Sequence, residues 1–110
     1  MIIKNKKIKK AISFTQHALE ELKEEMQRHE LGNGEVSDPV QLKKMYNFFD
    51  EILKELESGK IPPKEMRNRG VGKVIIDSWP FDSPLGEILL NTEQAYLDLP
   101  NYNGPVKLDR

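Results

Sequence analysis

Residues 37–59 constrain this chain more than any other stretch. They read Ser-Asp-Pro-Val-Gln-Leu-Lys-Lys-Met-Tyr-Asn-Phe-Phe-Asp-Glu-Ile-Leu-Lys-Glu-Leu-Glu-Ser-Gly. Ser37 or Asp38 can accept a hydrogen bond from a free N–H of a first helical turn, and Pro39 suits the first helical position, where no N–H is required. Leu42, Met45, Tyr46, Phe49, Ile52, Leu53 and Leu56 then recur at steps of three and four and make one broad apolar stripe. Lys43, Lys44, Asn47, Asp50, Glu51, Lys54 and Glu57 take the opposite side. Gly59 can end the helix in a left-handed conformation, and Pro62-Pro63 prevents its resumption. Such a helix is roughly 30 Å long. Its stripe must be covered by the rest of the chain or by a second copy.

Composition narrows the classes. A length of 110 residues suggests one domain, residues 1–110. With 37% hydrophobic and 32% charged residues the chain is polar without being of the disordered type. A net charge of −1 supplies no global field for nucleic acid or an anionic membrane. The absence of cysteine removes disulfides, thiolate metal sites and cysteine nucleophiles. No apolar run approaches the ~18 residues of a membrane span. The basic start lacks the apolar core and cleavage site of a signal peptide, so a cytoplasmic protein is expected.

Residues 2–12 carry Lys4, Lys6, Lys7, Lys9 and Lys10 and no acid, interleaved with isoleucines. This pattern fits a basic arm or an edge strand. Ser13 with Gln16 makes a capping box and opens a second helix to about Leu31, with Ala18, Leu19, Leu22 and Met26 on its apolar side. Gly32-Asn33-Gly34 is a turn, so the two helices form an antiparallel hairpin. Residues 71–79, Val-Gly-Lys-Val-Ile-Ile-Asp-Ser-Trp, read as a strand by β-branched content. Ser83 and Pro84 open a third helix, with Leu85, Ile88, Leu89, Thr92, Tyr96 and Leu99 on one face; a hairpin of residues 73–79 with 87–91 is the alternative. Residues 100–110 read as an irregular tail. The expected fold is α+β and mostly helical: a two-helix hairpin packed with a short strand or hairpin and a C-terminal helix.

Residues that could carry chemistry are few. His17 and His29 are twelve positions apart on one helix and face different directions, so they cannot share a metal ion; no metal site or cofactor is expected. The serines sit where caps and turns explain them, and none lies in a nucleophile elbow. Residues 12–18, Ile-Ser-Phe-Thr-Gln-His-Ala, resemble the Phe-Thr-x-His-Ala opening of some small RNase-toxin-like bacterial families. Those families continue with arginines where Glu20, Glu21, Glu24 and Glu25 stand here, so no activity is carried over. The best anion-binding candidate is the loop of Arg67, Arg69 and Lys73 with its two glycines, which could present guanidinium and backbone N–H groups to a phosphate or carboxylate.

Leu90 and Leu97 fall opposite the main stripe of the C-terminal helix. With Trp79, Phe81, Tyr102 and acids such as Asp82 they outline an aromatic–aliphatic patch with an acidic rim, the composition of a binding hot spot. From residue 74 to 106 there are five acids and no lysine or arginine, the mirror image of the basic start. Basic and acidic ends can dock on each other or on different partners. The leading expectation is a non-catalytic protein that binds another protein, as an inhibitor, immunity factor or adaptor does. A homodimer, nucleic-acid binding through the N-terminal lysines, and a small-anion or nucleotide site at Arg67, Arg69 and Lys73 are the alternatives.

Overall fold

The computed structural model describes residues 6–106. Four α-helices follow one another: α1 Lys6–Glu30, α2 Pro39–Ser58, α3 Val71–Ser78 and α4 Pro84–Leu97, with a 3-10 turn at Lys64–Met66 between α2 and α3. Among the described residues there is no strand. The described fold is all-helical, and the expected α+β architecture is overturned. The core lies between α1, α2 and α4; α3 packs on α4.

Helix α2 forms as its local signals dictate. Asp38 accepts from the Gln41 N–H at 2.9 Å, Pro39 opens the helix, and Gly59 closes it at φ 76°. Leu42, Phe49, Ile52 and Leu56 are completely buried, so the stripe is covered within the chain, with α1 as its largest neighbour. Gly59 has a second role. Its carbonyl accepts from the Val106 N–H at 2.8 Å, and a Cβ at this position would collide with the Val106 carbonyl oxygen. Gly59→Ala is therefore expected to lose more than the about 1–2 kcal/mol of left-handed strain alone. Gly32→Ala, at a similar φ with open space around it, should lose only the conformational part. Urea denaturation midpoints of the two variants check this difference.

Helix α1 departs from expectation at its start. Its first described turns are neither an arm nor an edge strand, and Ser13 is not a cap but an exposed residue within the helix. The buried positions Ile8, Ala11, Thr15, Ala18, Leu19 and Leu22 run continuously through Ser13. The polar Thr15 breaks the stripe in the sequence, but its hydroxyl donates to the Ala11 carbonyl at 2.7 Å and it is buried like its neighbours. Residues 1–5, with Lys4, lie outside the described residues.

Helix α3 replaces the expected strand, and the hairpin alternative falls with it. β-Branched residues favour a strand only where a neighbouring strand can pair with them, and none exists among the described residues. Helical spacing instead puts Gly72 and Ile75 against α4. A Cβ at Gly72 would meet the Glu93 carboxylate, and Ile75 lies against Gly86, so two glycines permit the close approach. The Trp79 indole N–H donates to Gln41 Oε1 at 2.9 Å and ties the end of α3 to α2. The C-terminal helix forms as expected, with the Ser83 hydroxyl accepting from the Gly86 N–H at 3.0 Å. Beyond it, residues 98–106 are irregular.

Candidate functional site

The three cations of the expected anion loop do not converge. Arg67 is the largest fully buried side chain among the described residues. Its Nε donates to the Pro62 carbonyl at 2.8 Å, Nη2 to Pro100 at 2.9 Å and Nη1 to Leu99, with the carbonyls of Tyr96 and Leu97 at 3.4 Å from Nη1. All of these carbonyls but that of Pro62 belong to the end of α4 and the chain that leaves it, groups with no partner in the helix itself. A cation at the negative end of the helix dipole is favourable as well. Burial pulls the Arg67 pKa down, while Tyr96, Tyr102 and Glu55 oppose that shift. Arg67 thus acts as the C-terminal cap of α4, supplied from a distant loop.

Arg69 lies over the Phe48 ring, 5.6 Å from its centroid, and reaches Glu51 at 3.5 Å and Glu55 at 3.2 Å. The other oxygen of Glu55 accepts from the Tyr96 hydroxyl at 2.7 Å. Burial, then the Glu55 contact, pushes the Tyr96 pKa upward. Lys73 projects from α3 and is exposed.

Most of the expected aromatic–aliphatic patch is absorbed by the fold. Trp79 is buried, and Leu90, Leu97 and Tyr102 are half-buried against the core. The Tyr102 hydroxyl is enclosed without a hydrogen-bond partner among the described residues, beside a cavity of about 330 Å³ that Glu55, Ile61 and Pro62 also line. Phe81 and Asp82 face outward, Phe81 with 106% relative exposure. Ile76, 71% exposed, stands out with them, as does the acid Asp77. Helical projection turns Ile76 about 100° from the buried Ile75. That projection was the signal available for finding it.

No family model matches this chain, and no curated protein does.

The remaining candidates take defined places. His29 Nε2 is 2.8 Å from the Val36 carbonyl oxygen, at the edge of the core, and His17 is exposed. Among the described residues no group of three His, Asp or Glu side chains is placed to hold a metal ion, and no helix is long and apolar enough to cross a membrane. Lys7 and Lys10 line one cleft with Asp98, so the start of α1 and the end of α4 lie side by side.

Glu93 is a buried carboxylate between α3 and α4. Burial pushes its pKa up, and the Gly72 N–H, 3.3 Å away, opposes that shift. Among the described residues no cation pairs with it, so its chemistry is that of a helix-start contact.

Proposed function

We propose that this protein acts by binding another protein rather than by catalysis, as a cytoplasmic inhibitor, immunity or adaptor-type protein. The supporting observation is α3 and the turn that follows it. An eight-residue helix with Val71, Val74, Ile75 and Ile76 is apolar on more than one side, yet only Gly72 and Ile75 are buried. A surface helix with apolar residues on two sides calls for a second neighbour. Ile76 and Phe81 are the most exposed apolar side chains here, ahead of Val74, and Asp77 and Asp82 are the adjacent acids. Aromatic anchors with a polar rim are the usual make-up of binding hot spots. The reading keeps Phe81 and Asp82 from the expected patch, adds Ile76 and Asp77, and leaves Trp79 in the core.

Because Ile76 and Phe81 are exposed, Ile76→Ala and Phe81→Ala are expected to leave stability within about 0.5 kcal/mol of the parent. Each should weaken partner binding by about 30-fold, the effect of removing a hot-spot side chain. A photo-cross-linking amino acid at position 81 should yield one dominant protein adduct, lost on Ile76→Glu. The same probe at exposed Glu57 on α2 should yield none. Equal labelling from positions 81 and 57 would remove the reading. An adduct with a second copy would make the surface a homodimer contact.

A further inference from the structure

The other flank of α3 is concave. Between the first turns of α2 and the start of α3 lies a groove of about 450 Å³, walled by Val40, Met45, Val71 and Val74, with Lys44 and Arg69 also in its lining. Val40 is 66% and Val74 37% exposed, so hydrocarbon faces solvent from both helices. The volume falls in the range of small-ligand sites. Asp38 also lines the groove as a carboxylate at the start of α2, with its Oδ1 accepting from the Gln41 N–H. The charge of Arg69 is balanced by Glu51 and Glu55. Lys44 is different: it is exposed and forms no ion pair among the described residues. The groove therefore combines an apolar wall with one ammonium free of an ion pair, the remaining donors of a held guanidinium and, at the start of α2, the Asp38 carboxylate.

We propose that this groove binds a small amphipathic anion, an aliphatic chain ending in a carboxylate, with the chain along Val40, Val71 and Val74 and the carboxylate at Lys44. The site goes beyond the protein-binding reading, because neither Ile76 nor Phe81 lines it.

Amide chemical shifts followed during titration with butyrate, hexanoate, octanoate and decanoate test the proposal. Shifts should concentrate at Val40, Gly70, Val71 and Val74, with Kd falling roughly fourfold per added methylene until the groove is filled. Decyltrimethylammonium should not compete. Lys44→Glu, an exposed change that leaves the fold intact, should weaken decanoate about tenfold, and Ile76→Glu should change nothing. Equal binding of the cationic amphiphile, shifts scattered over the surface, or indifference to Lys44→Glu would each overturn the proposal. Tighter binding of the peptide acetyl-Glu-Leu-Glu-amide than of decanoate would overturn it too, and would assign the groove to an acidic protein segment.

Discussion

Arg67→Ala is expected to destabilise the protein by about 3–5 kcal/mol, because the lost side chain is large, buried and the shared donor for several carbonyls. Pro62, Leu99 and Pro100 would lose their hydrogen-bond donor, and the Leu99 carbonyl would be left unpaired at a buried position. The loop before α3 and the chain after α4 would also lose their link. A domain of this size has a total stability of only about 5–15 kcal/mol, so the loss is a large share of it. The midpoint of thermal unfolding should fall by about 12 °C or more. Arg67→Lys should recover little, since one ammonium cannot reproduce the planar fork that serves Pro62, Leu99 and Pro100 together. Arg69→Ala is the contrast. Its pairs with Glu51 and Glu55 involve partly exposed side chains, and its loss should cost about 1 kcal/mol or less. A comparable loss in the two variants would contradict the capping role of Arg67.

Glu25→Gln should be the second severe substitution, at about 2–3 kcal/mol. Glu25 is 1% exposed, and its carboxylate accepts from the Glu35 N–H at 2.6 Å, the Val36 N–H at 2.8 Å and Arg28 Nε at 2.7 Å. It pins the link between α1 and α2 to the end of α1. An amide keeps one acceptor oxygen but turns an NH2 group toward donors. Burial pushes the Glu25 pKa up, but the Val36 and Glu35 amides and Arg28 outweigh that and hold it below the ordinary 4.5. A carboxyl held below its unfolded value stabilises the fold fully above that value and loses the contribution as pH falls through the folded pKa. The stability difference between parent and Glu25→Gln should thus be complete above about pH 5 and shrink as acid is added below 4.5. Glu93 works in the opposite sense: its raised pKa means that protonation favours the folded state. Urea denaturation repeated at several pH values separates the two, and a difference for Glu25→Gln that did not change with pH would contradict the ionic role.

Two helices were legible from the chain alone because their signals are local. Asp38, Pro39 and Gly59 bound α2, and Ser83 and Pro84 open α4; each acts on backbone groups within a few residues, so tertiary contacts had only to accept them. The apolar stripe of α2 was read almost residue for residue. Where the outcome depended on distant neighbours, reading failed. The start of α1 looked like a basic arm because lysines dominate it, but burial of Ile8 and Ala11 against the core sets its conformation.

Residues 71–78 carry strand-like composition, and the absence of a pairing strand among the described residues, with Gly72 and Gly86 at the α3–α4 contact, makes them a helix. β-Propensity measures fit to a pleated neighbour and yields when the available neighbour is a helix. The same reason governs the candidate site. Arg67 reads as a free cation in the chain, yet the end of α4 lies some thirty residues away and supplies carbonyls that take up its guanidinium. Helix limits and the main apolar stripe follow from short-range backbone chemistry. Which cations and apolar side chains remain at the surface was decided by long-range packing, because burial depends on what the far parts of the chain bring alongside.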